Sequence, residues 1–182
     1  MSGGPDDHDT SVERLTPVVR RLILLRHGQT EFNAASRMQG QLDTELSDLG
    51  VRQAKSAAAA LAQREPMLIR SSDLRRARDT AEALAVLTGL PVETDQRLRE
   101  THLGEWQGMT HYEVDDVMPG ARALWRDDAT WRPPGGESRV DVAARALPVV
   151  DELLARADHL ILVLPYSPQS HHLIDAAALA AF

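Results

Sequence analysis

The sequence predicts an α/β sandwich with a mostly parallel sheet. Short apolar runs of four or five residues alternate along the chain with longer segments of helical composition, and this alternation is typical of parallel sheets covered by helices. The chain has 182 residues, of which 43% are hydrophobic and 26% charged, and this is enough for one domain with a sizeable core.

The N-terminal half begins with a segment that we expect to be flexible. Residues 1–20 are rich in Gly, Pro and Asp, and we place a single domain over residues 21–182. The apolar run "LILL" (22–25) predicts a first strand that is buried on both faces of the sheet. After a polar loop, Ser47 is a good N-cap for a helix from Asp48 to about Arg64.

The same signals predict the remaining elements in order. They are a strand at 66–70, a helix opened by the serine-rich "SSD" and ending at Gly89, a strand at 91–95, short helical segments in 110–132 broken at Pro119 and Gly120, a helix at about 137–156, and a strand at 160–164.

Composition excludes several classes of function. The net charge of −7 argues against broad binding to nucleic acid or to an anionic membrane, both of which favour a basic surface. The chain has no cysteine, which excludes disulfides, thiolate metal sites and cysteine nucleophiles. No apolar run approaches the roughly 18 residues of a membrane span, and the polar N-terminus lacks the apolar centre of a signal peptide. We therefore expect a cytoplasmic protein.

The stretch "LLRHGQTEFN" carries the first chemical signal. If "LILL" is a strand, Arg26 and His27 lie beyond its carboxyl end, where doubly wound sheets bind ligands. Arginine offers a fork for phosphate, and histidine can act as a base, a metal ligand or a nucleophile. Gly28 allows a tight turn and close approach of a ligand, while Thr30 and Asn33 add neutral donors. The alternative is an exposed strand end with an incidental histidine.

The stretch "SSDLRRARDTA" again follows a predicted strand and opens a helix, whose N-terminus attracts anions. Arg75, Arg76 and Arg78 cannot share one helix face, so at most one or two of them point at a site. The alternative is a solvated basic helix face.

A third stretch, "RLRETHLGEWQG", offers a carboxyl group in a loop. Glu100 or the competing Glu105 could protonate a leaving oxygen near a phosphate pocket. The alternative for both is a surface acid. We expect Trp106 to pack in the core.

These stretches, followed by "PPGGES", resemble in order and spacing the motifs of the histidine phosphatase superfamily, also called phosphoglycerate mutase-like, over roughly residues 21–157. The resemblance implies a three-layer α/β/α sandwich and phosphomonoester chemistry. The stretches "SRMQGQLDTELSDLG" and "WRPPGGESRVDVAAR" resemble more closely those members that act on glucosyl-3-phosphoglycerate.

The resemblance also implies roles for named residues. His27 would attack phosphorus and form a phosphohistidine. Arg26 and Arg76 would bind and stabilise the phosphoryl oxygens, Asn33 would bond to the same phosphate, and Glu100 would protonate the leaving alkoxide and then activate water.

Further implications concern the surroundings of the site. Thr30 and Gln39, the latter in the loop at the entrance, would contribute to binding of the substrate. No cofactor and no metal is implied, because arginines supply the positive charge. The expected partner is a small phosphorylated substrate, with no nucleic acid and no membrane, and a homodimer is possible.

The family's second histidine directly follows its last core strand. Here "LILVL" is followed by "PYSPQSHHLIDAAALAAF", and the nearest histidines are His171 and His172, about seven residues farther on. We therefore expect a C-terminus that diverges from the family, or is incomplete, from about residue 165.

The favoured hypothesis is a phosphatase that acts on a small phosphorylated metabolite, with glucosyl-3-phosphoglycerate first. One alternative is a phosphoglycerate mutase, against which the short loop after "EWQG" argues. The other is a catalytically impaired protein that binds phosphate or a phosphosugar without the second histidine.

Overall fold

The computed structural model describes residues 21–155 and the strand residues 159–163. The elements of this part, in chain order, are β1 (Arg21–Leu25), α1 (Glu31–Ala34), α2 (Asp48–Ala62), β2 (Leu68–Ser71), α3 (Arg75–Thr88), β3 (Val92–Thr94), two 3₁₀ helices (Gln96–Leu98 and Gly104–Trp106), α4 (His111–Val117), α5 (Ala121–Asp127), α6 (Arg139–Leu154) and β4 (His159–Val163). The predictions for residues 1–20, for the C-terminus beyond residue 163, and for His171 and His172 lie outside the described residues.

The four strands of the described part form one sheet in the order β1-β4-β2-β3. All three pairings are parallel, so the carboxyl ends of the strands lie at one edge of the sheet. This confirms the predicted parallel sheet and brings the loops that follow β1, β2 and β3 to the same side.

Helices cover both faces of the sheet. Ile23 and Ile69 belong to a cluster with apolar residues of α2 and α3, whereas Leu22 and Leu68 pack against α6. Neighbouring residues of a strand point to opposite faces, so α2 and α3 form one outer layer and α6 the other. The arrangement is the predicted three-layer sandwich.

The prediction that β1 is buried on both faces is wrong at one position. Leu24 is 46% exposed, although Leu22, on the same face of the strand, is part of the cluster formed with α6. β1 lies at the edge of the described sheet, and the apolar residues of α6 centre on Val149, Val150, Leu153 and Leu154 without reaching Leu24.

The predicted ends of the helices are partly corrected. α3 has Leu74 at its N-cap with no side-chain cap, and Ser72 instead accepts the N–H of Leu74 at 3.2 Å. Gly89 ends the same helix in the left-handed region, with φ of 73°, as predicted. α6 begins after Ser138, which caps it together with Asp141.

A third cluster lies beside the loop that carries Glu100. Trp106 is 1% exposed and packs with Met38, Leu103 and Val114, so its predicted core position is confirmed. The indole also contacts Trp125 edge to face and Trp131 in a tilted arrangement. Within the described residues, none of the helices combines the length and the hydropathy that a membrane crossing needs.

Candidate active site

Three loops at the carboxyl edge of the sheet bring the predicted residues together. His27 follows β1, Arg76 lies in the first turn of α3 behind β2, and Glu100 lies in the acid loop (residues 99–103) between the two 3₁₀ helices. This edge is where open parallel sheets bind ligands.

The imidazole of His27 is held in one tautomer. Its Nδ1–H donates to the carbonyl of Gly28 at 2.7 Å, and its Nε2 accepts the Nε–H of Arg76 at 3.3 Å. Burial, together with the charges of Arg76 and Arg26, lowers the pKa of His27 to about 4, against the opposing effect of the Gly28 carbonyl. The ring is therefore neutral at physiological pH, with a lone pair on Nε2.

The guanidinium of Arg76 is the centre of the site. Arg76 is 1% exposed and donates to the carbonyls of Gly40 at 2.7 Å and Leu42 at 2.8 Å. It also donates to Glu100 Oε2 at 2.7 Å and to His27 Nε2 at 3.3 Å. The entrance loop (residues 35–46) thus supplies two carbonyl groups that orient the cation toward both the histidine and the carboxylate.

Glu100 faces this cation from the acid loop. Its side chain is 28% exposed, and its carboxylate forms an ion pair with Arg76. Burial raises the pKa of Glu100 above its usual range, and the charges of Arg76 and Arg26 oppose this shift. A carboxyl group with a raised pKa, close to a neutral imidazole, is suited to giving up and taking back a proton.

Arg26 and Asn33 lie beside His27 at a cavity. The three residues line a cavity of about 430 Å³, whose lining does not include Arg76 or Glu100, and this volume is in the range of small-molecule sites. Arg26 is exposed and forms no hydrogen bond to any other described residue. Asn33 Oδ1 accepts the N–H of Thr30 at 3.0 Å, which leaves the amide nitrogen of Asn33 to donate to a ligand.

Thr30 and Gln39 are placed less favourably for direct contact. Thr30 is 0% exposed, and its hydroxyl accepts the N–H of Asn33 at 3.1 Å and donates to Gln39 Oε1 at 2.8 Å. Because Thr30 is fully buried, its position argues against direct contact with phosphate. Its hydrogen bonds to Asn33 instead suit it to orient that residue. Gln39 is 4% exposed and also accepts from Thr44, so only its amide nitrogen remains for a substrate.

The competing residues point elsewhere. Arg75 pairs with Glu45 at 2.6 Å and Arg78 with Asp79 at 3.5 Å, in each case with exposed side chains. Only Arg76 of the three faces the site, as the helix geometry predicts. Glu105 is exposed, which leaves Glu100 as the acid of the site.

The structure shows a different reason for a glycine at position 28 from the predicted one. A Cβ at Gly28 would lie 2.3 Å from the carbonyl oxygen of Gly50, and one at Gly50 would lie 2.0 Å from that of Gln29. The two glycines are therefore required by the close packing of the histidine loop on the first turn of α2, and the turn itself needs no positive φ.

Three supporting residues were not found by sequence reasoning. Thr80 accepts the N–H of Gly28 at 3.1 Å and donates to the carbonyl of Arg76 at 2.7 Å, so it ties the histidine loop to α3. Glu137 and Arg145 hold the acid loop from the other side. Glu137 belongs to the "PPGGES" stretch, whose residue types predict a turn and no specific role, while Thr80 and Arg145 lie within helices and carry no local signal.

No group of three or more His, Asp or Glu side chains that could hold a metal ion occurs among the described side chains of residues 21–155. Among these same side chains, His27 is the histidine that contacts the arginine of the site.

Comparison with known proteins gives a consistent result. Residues 22–165 match the family model of the histidine phosphatase superfamily, branch 1. The chain is 70% identical over 138 residues to the glucosyl-3-phosphoglycerate phosphatase of Mycolicibacterium vanbaalenii, covering 76% of this chain and 61% of the relative. It is 66% identical over 136 residues to the enzyme of the same name from Mycobacterium tuberculosis, covering 75% of this chain and 61% of the relative.

Solved structures of similar fold lead to the same family. A mycobacterial glucosyl-3-phosphoglycerate phosphatase in complex with VO₃ superposes with a TM-score of 0.78 and 58% identity, covering 89% of this chain and 81% of that one. YhfR of Bacillus stearothermophilus superposes with a TM-score of 0.73 and 35% identity, covering 80% and 73%. The chain spans about 61% of the length of the curated relatives cited above.

Proposed function

Because the chain belongs to the histidine phosphatase superfamily, we propose that it is a phosphatase that hydrolyses a small phosphorylated metabolite through a phosphohistidine. The observation that carries this proposal is the tautomer and the protonation state of the His27 imidazole. Its Nδ1 proton is held by the Gly28 carbonyl, and its pKa is lowered to about 4. Nε2 is thus unprotonated at neutral pH without a separate base, and attack on phosphorus replaces the hydrogen bond that it accepts from Arg76 at 3.3 Å.

The first step transfers the phosphoryl group to the histidine. His27 Nε2 attacks phosphorus, the bond to the leaving oxygen breaks, and Glu100 gives that oxygen a proton. Arg26 and Arg76, with the amide nitrogen of Asn33, bind the phosphoryl oxygens and stabilise the charge that develops on them. Burial raises the pKa of Glu100, and this shift favours the protonated form that the step uses.

The second step regenerates the imidazole. Glu100, now ionised, takes a proton from water as the water attacks phosphorus, and the bond to Nε2 breaks to release inorganic phosphate. The same carboxyl group thus serves as acid and then as base, and the ion pair with Arg76 at 2.7 Å stabilises it in the interval between the two steps.

Glucosyl-3-phosphoglycerate is the substrate that we favour. Relatives that are 66–70% identical carry the name of its phosphatase, and this level of identity supports the choice over a phosphoglycerate mutase. A related mycobacterial phosphatase forms a complex with VO₃, an anion that resembles a phosphoryl group in transfer, and this supports phosphoryl-transfer chemistry for this chain.

A direct test measures hydrolysis and traps the intermediate. The chain is assayed with p-nitrophenyl phosphate and with glucosyl-3-phosphoglycerate, and ³²P-labelled substrate is quenched in alkali, in which phosphohistidine survives. We expect turnover and label on the protein, and the loss of both in His27→Ala, with His111→Ala as the matched control at an exposed position. Label retained in His27→Ala would exclude His27 as the nucleophile.

Two further outcomes separate the alternatives. Phosphate binding without turnover in the wild-type chain would indicate a catalytically impaired binding protein. Interconversion of phosphoglycerates that outpaces the release of phosphate would indicate a mutase.

A further inference from the structure

The acid loop is held by an ion pair that lies outside the reacting groups. We propose that Glu137 and Arg145 are positioning residues that fix this loop and thereby orient the carboxyl group of Glu100 for proton transfer. The inference rests on the proposed function, since it assigns the pair a role in that reaction.

The pair has the geometry of a strong interaction. Arg145 Nε donates to Glu137 Oε1 and Arg145 Nη2 to Glu137 Oε2, each at 2.9 Å. This is the bidentate fork between guanidinium and carboxylate, which fixes the orientation of both planes. The side chains are only 19% and 25% exposed, so solvent screens the pair less than a surface ion pair.

The remaining donors and acceptors of the pair bind the backbone on both sides of Glu100. Arg145 donates to the carbonyl of Arg97 at 2.7 Å and to that of Glu100 at 3.0 Å. Glu137 Oε2 accepts the N–H of His102 at 2.8 Å, and the N–H of Glu137 donates to the carbonyl of His102 at 2.7 Å. The backbone before, at and after Glu100 is therefore attached to one rigid pair.

The entrance loop joins the same network. Gln41 Nε2 donates to the carbonyl of Glu100 at 3.1 Å and approaches Glu137 Oε2 at 3.4 Å. Since carbonyls of the entrance loop also orient Arg76, the pair connects the acid of the site to the loop that places its cation.

The turn that precedes Glu137 packs closely against the backbone of residues 102–104. A Cβ at Gly136 would lie 2.5 Å from the carbonyl oxygen of His102, and one at Gly104 would lie 2.0 Å from that of Pro134. The turn and the acid loop are thus in close backbone contact, so a side chain at either glycine would push the two segments apart.

Positioning matters here because residues 99–103 have no regular secondary structure to hold them. A carboxyl group displaced by about 1 Å loses most of its value as a proton donor, at a cost of up to about 10²-fold in rate. That cost falls on substrates whose leaving group needs a proton. An alkyl phosphate releases a basic alkoxide, whereas p-nitrophenyl phosphate releases a stable phenolate.

The test therefore compares two substrates across matched variants. In Glu137→Gln and in Arg145→Lys we expect kcat/KM to fall about 10- to 100-fold for an alkyl phosphate such as glycerol 3-phosphate. For p-nitrophenyl phosphate the fall should be about threefold or less, because that leaving group needs no acid. Hydrogen exchange of peptides over residues 99–104 should become faster in both variants. In Glu137→Gln the His102 N–H loses its charged acceptor, and in Arg145→Lys the carboxylate of Glu137 loses its bidentate partner.

Glu152→Gln is the control. Glu152 lies on the same helix and forms its own bidentate pair, with Arg97 at 2.7 and 2.8 Å, but does not bond to the backbone of Glu100 or His102. This variant should change neither the ratio between the substrates nor the exchange of the acid loop. Thermal unfolding of all variants checks that they fold.

The outcomes are distinct. Equal losses on both substrates, or unchanged exchange in residues 99–104, would overturn the positioning role. A wild-type chain inactive on both substrates would refute the proposed function, and the exchange measurement would then decide by itself whether the pair holds the loop.

Discussion

Replacing His27 by Asn should remove a pH-dependent loss of stability that the wild-type chain shows on its acid side. A free histidine titrates near pH 6.5, and burial lowers the pKa of His27 to about 4. Between these values the unfolded chain binds a proton that the folded chain does not, so the free energy of unfolding falls as the pH falls from about 7 toward 4. Below pH 4 both states are protonated and the loss levels off.

The size of the effect follows from the two pKa values. Because the pKa of His27 is 6.5 in the unfolded chain and about 4 in the folded chain, the free energy of unfolding falls by about 2 kcal/mol between pH 7 and pH 5. His27 is only 8% exposed, so solvent screening reduces this value little. Asn is a suitable replacement because its amide nitrogen can still donate to the Gly28 carbonyl, the acceptor of Nδ1 in the wild type.

The assay is urea unfolding of both proteins at pH 7 and pH 5. Other groups, Glu100 among them, titrate in both proteins, so the difference between the two pH-dependent changes isolates His27. We expect the stability of the wild type to fall by about 2 kcal/mol more than that of the variant. Equal changes in the two proteins would refute the claim that His27 is kept neutral by burial.

Three further variants test other contacts of the site. Thr80→Val leaves the buried N–H of Gly28 without its acceptor and should cost about 1–3 kcal/mol in chemical unfolding, whereas Thr80→Ser should restore most of it. Gly50→Ala places a Cβ 2.0 Å from the Gln29 carbonyl, and about 2 kcal/mol or more of stability should be lost, together with turnover; an unchanged unfolding midpoint would contradict the close approach. Arg76→Lys replaces a fork with four acceptors by a point charge, and inhibition by vanadate should weaken about 10- to 100-fold.

Most of the fold could be predicted from local patterns. Apolar runs marked β1, β2 and β4 of the described part, and Ser47, Gly89 and the break at Pro119 marked helix ends, because caps and turn residues act over three or four positions. The exposure of Leu24 could not be predicted, since it depends on which residues of a helix far along the chain cover that face of the sheet.

The main residues of the candidate site could also be predicted, but not the residues that support them. His27, Arg76 and Glu100 meet in the structure. Strand-end geometry predicted that the three stretches would meet, whereas the choice of Arg76 and Glu100 within them rested on the resemblance to the family. The burial of Thr30 was not foreseen, because its partner Gln39 lies in a separate loop. The ion pair behind Glu100 was also missed, because Arg145 lies in the middle of an amphipathic helix where an arginine usually faces water.

The hydrogen bonds that already occupy the guanidinium of Arg76 affect how tightly the site binds an anion. In the described structure its guanidinium already binds two carbonyls, a carboxylate and an imidazole. An arriving anion therefore exchanges one set of charge-assisted bonds for another and gains only the difference between them. Under the proposed function, we expect inorganic phosphate to be bound weakly by Arg76, and the more highly charged oxygens of the phosphoryl group in transfer to be bound more strongly.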